Sequence, residues 1–297
     1  MTGQRKYWKS YAKSNLKGNW GIAIAAMLAV VAVNFIGNIF AVQLFPGDSV
    51  FALVLSEIFV FIVSLIGMIF STGYSYMQLN ICRGRDYSLS DLLYMFHNQP
   101  DRVLVAGLVV ALIDTVVQIP FYYVTYMVNP GNTVESMIHW YQLLLGAWIL
   151  AMVLSVIFTV PFALTFYFLA DDPEMGGIEA LKASTHAMKG HIWQYLMLEL
   201  SFVPLLFLSL FTLYIGLLWL MPYMQFTETA FYMYVTGELD QQRTDRQHTG
   251  IQEISDRTGD DYNSEAYNRK QNIKDTMIIM HEKGDYNGYY SGDNQRT

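Results

Sequence analysis

The sequence predicts an all-α fold: a polytopic membrane helix bundle of about six spans, with short cytoplasmic amphipathic helices and a disordered C-terminal tail. Two observations carry this. All 18 Lys and Arg residues of the 297-residue chain fall in four blocks, 5–17, 83–102, 182–189 and 243–296. The intervals between the blocks, 18–81, 103–181 and 190–242, are strongly apolar, and each is long enough for two spans of ~20 residues. The overall 53% of hydrophobic residues understates this, because the tail is polar and dilutes the average.

The chain opens with a basic segment, 1–19, in which Arg5, Lys9, Lys13 and Lys17 recur every four residues. That spacing places them along one side of a helix, with Trp8, Tyr11, Ala12 and Leu16 elsewhere on it. A basic stripe beside aromatic residues suits an interfacial helix on an anionic leaflet, at about 1 kcal/mol per basic residue near the surface. Topology alone also accounts for it, since the same charges hold the N-terminus inside.

The first hairpin follows, with spans over 20–45 and 51–80 about the turn Pro46-Gly47-Asp48-Ser49. The first apolar run reaches Phe45, well past the roughly 7–15-residue core of a secretory signal, so it is read as a retained span. Cys82 is the single cysteine, which excludes an internal disulfide. A helix is expected over 88–97, opened by Ser88 as cap and Asp91 in its first turn. The second hairpin has spans 103–128 and 138–170 about Asn129-Pro130-Gly131-Asn132, and a helix over 173–189 comes next, with Asp172 as cap and Pro173 first. The third hairpin, 192–210 and 217–236, is inferred mainly from length, its turn lying near 212–216. The six spans and the helices between them make one membrane domain, 20–236.

Orientation follows from the bias of Lys and Arg toward cytoplasmic loops. The three turns carry none, whereas both termini and the other two junctions carry all, so both ends are expected in the cytoplasm. The net charge of -7 does not oppose this, because acidic residues contribute little to topology.

The result is three units, each a cytoplasmic helix leading into a hairpin. Their exits look alike: Tyr74-Ser75-Tyr76-Met77, Phe166-Tyr167-Phe168-Leu169 and Phe231-Tyr232-Met233-Tyr234. An internal triplication gives this likeness, and so do aromatic belts at membrane interfaces. From 237 to 297 the chain turns polar and lacks the apolar surface that offsets ordering entropy, so a mostly disordered cytoplasmic tail is expected, with one further helix over 264–282.

Chemistry is sparse. The candidate intramembrane polar residues are Glu57, Asp114, Gln118, Glu199 and Glu228. An ionised carboxylate at a span centre costs about 2.5–3.5 kcal/mol on insertion scales and normally faces protein or water. Asp114, with Gln118 one turn on and Pro120 beyond, is the best placed for a proton or cation relay; the competing reading makes each a neutral packing residue. Prolines 120, 161, 204 and 222 either break helices around a transport site or reflect the ordinary abundance of Pro in membrane helices. The histidines form no metal-binding spacing, and no phosphate loop, nucleophile elbow or dinucleotide fingerprint is present. No cofactor, metal or nucleic acid is called for.

Several stretches resemble a known family: Leu16-Lys17-Gly18-Asn19-Trp20-Gly21, Leu169 through Pro173, Glu179 through Ser184, Met188-Lys189-Gly190-His191 and Leu218 through Tyr223. Over 5–236 the chain is similar to the bacterial membrane family called domain of unknown function 975. The resemblance implies a bacterial multi-span protein of unassigned activity, distantly similar to the membrane domain attached to some glycerophosphodiester phosphodiesterases. It brings no site residues with it.

Three functional readings compete. The leading one is a non-enzymatic scaffold or regulator of an envelope or lipid-related process in the cytoplasmic membrane, meeting anionic head groups and a protein partner at its cytoplasmic face. The second is a small-molecule or ion transporter using Asp114, Gln118 and Glu199. The third, a lipid-modifying enzyme, requires Asp171, Asp172, His186 and His191 to converge.

Overall fold

Where a backbone lies in lipid, every N–H and C=O must be satisfied within its own segment, so long apolar runs become helices. A computed structural model of the chain describes residues 2–46 and 49–245 together with 271 and 274, and all regular structure among them is helical. The chain divides into two units, 1–239 and 240–297. Of the tail expected to be mostly disordered, 237–297, residues 238–245 are described and are helical, as are positions 271 and 274; the rest, with most of the helix expected over 264–282, lies outside the described residues.

In the first unit, α1 (Thr2–Leu16) leads into α2 (Trp20–Leu44) and α3 (Val50–Arg83). Ser49 caps α3 by accepting the Ala52 N–H at 3.2 Å, and α3 ends at Gly84, whose φ of 66° lies in the left-handed region that favours glycine. The segment expected as a helix over 88–97 splits into a 3-10 turn at Leu89–Leu93 and the single α-turn α4 (Tyr94–His97). Ser88 and Asp91 form a capping box there.

The second hairpin comprises α5 (Pro100–Val117), α6 (Ile119–Met127), α7 (Val134–Thr159) and α8 (Thr165–Asp171). The axis bends by 51° between α5 and α6, at Gln118. After α8, Asp172 does not cap a helix at Pro173; its carboxylate accepts the Glu174 N–H at 2.9 Å in a local turn, and α9 (Gly177–Met188) starts later. The last hairpin is α10 (Ile192–Leu200), α11 (Val203–Phe211) and α12 (Leu217–Val235). Pro120, Pro161 and Pro204 each open a new helical piece, where a missing N–H costs nothing, while Pro222 sits inside α12.

Four helical runs are long and apolar enough to cross a membrane, 20–44, 50–83, 134–171 and 192–211, and α5 with α6 makes a fifth if the bent pair is one span. The sixth expected span corresponds to α12, which is less apolar. Phe226, Thr227 and the run from Thr229 to Met233 are buried in it, so α12 is sheltered by protein, and that shelter lets it carry polar residues. The spans expose Phe35, Phe40, Ile62, Ile149 and Phe207 along their outer faces, a surface suited to lipid tails.

The dense core lies at one end of the bundle, where the basic segments gather. Each segment that precedes a hairpin packs on the exit helix of the hairpin before it. The 3-10 turn and α4 lie on α3, α9 lies on α8, and α1 closes the circle by packing on α12. Trp8, Tyr11, Ala12 and Leu16 of α1 are buried in this core.

Close approach marks the contact on α3. A Cβ added at Gly73 would collide with the carbonyl oxygens of Leu92 and Asp91, backbone atoms that cannot swing away. Gly73→Ala is therefore expected to destabilise by about 1–3 kcal/mol through overpacking. Gly146→Ala, where a Cβ meets nothing within 4 Å, is the matched control and should leave the thermal midpoint in detergent unchanged.

Candidate functional site

The three exit helices α3, α8 and α12 contribute one polar residue each to a buried layer: Gln78, Tyr167 and Thr229, which are 1%, 6% and 0% exposed. Gln78 Oε1 lies 3.0 Å from the Thr229 hydroxyl and 3.4 Å from the Tyr167 hydroxyl. Both hydroxyls also reach the Gln225 carbonyl, at 3.0 and 3.3 Å. Burying such groups without partners costs about 1–3 kcal/mol each, so the layer joins the three helices in one relative register.

A second layer lies toward the ends of the same exits. Arg83, the last residue of α3, faces two carboxylates. Its Nη1 and Nη2 donate to Asp171 Oδ1 and Oδ2 at 2.5 and 2.9 Å, while Nε and Nη2 donate to Glu238 Oε1 and Oε2 at 2.8 and 2.6 Å. The Tyr232 hydroxyl donates to Asp171 Oδ2 at 2.8 Å, and its ring stacks on Tyr167 with centroids 5.4 Å apart. Both pairs are two-pronged, the geometry for which a planar guanidinium is suited. Chemically this is a clamp, in which the guanidinium ties α8 and the chain after α12 to the end of α3.

The residues singled out in the sequence divide into separate groups. Asp114 is exposed on α5 and Glu57 is exposed on α3; both lie within electrostatic reach of the Tyr122 hydroxyl, and Gln118 is half-buried at the bend beside it. Glu199 on α10 and Glu228 on α12 form another group, with Glu228 accepting the Tyr195 hydroxyl at 2.8 Å and Glu199 facing Lys9. Glu199 Oε1 is buried with no hydrogen-bond partner. Asp114 and Glu199 thus have no neighbour in common among these contacts.

The basic stripe of α1 also splits. Arg5 Nη1 donates to the Met197 carbonyl and Lys9 Nζ to the Ser201 carbonyl, both at 3.2 Å, at the end of α10. Cations suit the carbonyl end of a helix. Lys9 Nζ also lies 3.9 Å from the centre of the Phe202 ring. Burial, with the like charge of Arg5, pulls the Lys9 ammonium below its ordinary pKa, against the opposing pull of Glu199. Lys13 and Lys17 remain exposed.

Of the four residues an enzyme would need, Asp171 belongs to the Arg83 clamp and Asp172 to its local turn. His186 is exposed, and His191 Nδ1 contacts Gln194 Oε1 at 3.1 Å. No group of three or more His, Cys, Asp or Glu able to hold a metal occurs among the described residues. Sequence reasoning missed the two polar layers. The exit motifs containing Tyr167 and Tyr232, and Asp171 among the enzyme candidates, pointed to members of them singly, and a basic residue ending a span reads first as topology.

Apolar runs of membrane length, apolar outer faces and a polar axis enclosed at one end define a multi-pass α-helical membrane protein. The chain belongs to the family DUF975, a protein family of unknown function, whose model matches residues 1–238. No curated protein and no solved structure matches the chain.

Proposed function

We propose that the protein is a non-enzymatic scaffold or regulator of an envelope or lipid-related process, set in a bacterial cytoplasmic membrane with both termini in the cytoplasm. The observation that carries this reading is where the ordered polar surface lies. The core end exposes Lys6, Lys13 and Lys17 on α1, Arg85 just after α3, and Lys182 and Lys189 on and just after α9. A rigid platform of exposed cations suits anionic head groups or the acidic face of a protein partner, and steers either toward it. Beneath it, Arg83, Asp171, Glu238, Tyr167 and Thr229 tie helices together, an arrangement that favours a platform over a reaction centre.

Two measurements test it. Crosslinking pull-down with the full chain should recover a partner that is lost or strongly reduced when residues 240–297 are deleted; an unchanged partner set removes the docking role of the tail. Asp114→Asn and Glu199→Gln should leave ion flux and the pH response of growth unchanged, and a loss of flux in either variant would favour a transporter instead.

A further inference from the structure

The division of the basic stripe leaves one cation in an unusual position. Between α1 and α10 lies a groove of about 110 Å³ lined by Gln4, Arg5, Trp8, Trp193, Gln194 and Met197, well beyond the ~10–15 Å³ that one water needs. Its lining contains one cation and no carboxylate.

The donors are partly spoken for. Arg5 spends Nη1 on the Met197 carbonyl, which fixes the guanidinium at the groove and leaves its other N–H groups for a ligand. Gln194 engages His191 through Oε1, leaving its amide NH2 as a donor, and Gln4 is held by the Tyr234 hydroxyl at 3.1 Å. A planar guanidinium beside an amide donor matches the oxygens of a phosphate group.

Depth supplies the rest. Trp193 lies in the first turn of α10, where the apolar run 192–211 begins, and its side chain is 59% exposed. Indoles favour the head-group level of a bilayer, so the mouth of the groove opens where lipid phosphates lie. Trp8 forms an inner wall, and exposed Lys6 adds positive charge nearby.

From this geometry we infer that the groove binds the phosphate of an anionic phospholipid, with Arg5 as the charged donor, Gln194 as the second donor and Trp193 against the glycerol end. The inference rests on the membrane placement in the preceding reading and not on the scaffold role, so a failed pull-down leaves it intact.

Native mass spectrometry of the detergent-purified full chain with phosphatidylglycerol tests it. The unaltered protein should retain a bound lipid, and Arg5→Gln should weaken retention about tenfold or more, the loss expected for a hydrogen bond to a charged group. Trp193→Ala, which removes an exposed side chain and spares the core, should weaken it too, while Lys13→Gln should not. Retention at the original level in both Arg5→Gln and Trp193→Ala overturns the site. Equal retention of phosphatidylcholine, or of a diacylglycerol with the same chains, overturns the anionic phosphate as its ligand. Displacement of the lipid by millimolar inorganic phosphate overturns the lipid as the source.

Discussion

Arg83→Gln is expected to destabilise the protein by about 2–3 kcal/mol, the largest loss from any single polar substitution at the core end. Removing one partner of a buried ion pair costs about 3–5 kcal/mol, because the other charge is left without compensation. Here two carboxylates would lose their shared cation, although the Asp171 and Glu238 side chains are 28% and 25% exposed and water offsets part of the penalty. The single-carboxylate variants provide the scale. In Glu238→Gln the arginine keeps Asp171, and in Asp171→Asn it keeps Glu238, so each should cost about 1–2 kcal/mol, less than losing the cation. Thermal unfolding in detergent, followed by size-exclusion recovery after heating, measures all three. Equal, small losses in all three would mean that the clamp does not tie the exits together. The ordering Arg83→Gln above either carboxylate variant is what a shared cation requires.

The parts of the fold that were legible in the sequence are those set by the solvent. A bilayer admits few structures, so apolar runs without Lys or Arg gave the long helices, and the turn residue Ser49 gave the start of α3, where it accepts the Ala52 N–H; the start of α7 is expected at 138, whereas Thr133 caps it and the helix begins at Val134. Partner choice was not legible. Arg5, Lys9, Lys13 and Lys17 recur every four residues, but an α-helix turns every 3.6, so each step drifts by ~40° and the stripe winds ~120° from Arg5 to Lys17. Which part of that winding stripe meets protein depends on where α10 lies, and no local pattern encodes it. Arg5 and Lys9 meet the end of α10, whereas Lys13 and Lys17 stay exposed. Similarly, Tyr167 and Tyr232 read as interface aromatics until their hydroxyls are seen to serve Gln78 and Asp171. Asp114 appeared central by its position along a span, yet a span position says nothing of which side faces a neighbour, and its side is exposed.

Trp8→Ala should cost about 3–5 kcal/mol, the range for removing a large aromatic side chain from a core. Trp8 is 1% exposed, and its ring meets Phe231 edge-on and Tyr234 at a tilt, with centroids 5.2 and 5.0 Å away. These rings belong to α12, so Trp8 carries the contact that closes the circle between the first segment and the last exit helix. Two accounts of α1 differ sharply here. A helix held only by charge on a lipid surface would keep its indole among head groups; the substitution would then reduce membrane partition of a peptide covering residues 2–16 and hardly change the stability of the whole chain. A helix docked on α12 gives the opposite result: a lowered unfolding midpoint in detergent, where no leaflet exists, together with earlier protease cleavage within residues 2–16. Lys13→Gln and Lys17→Gln, on the exposed side of the same helix, should leave both readouts unchanged. A detergent midpoint within 1 °C of the unaltered protein would rule out the docked helix, because the buried ring cannot be removed from a packed core without a thermodynamic cost.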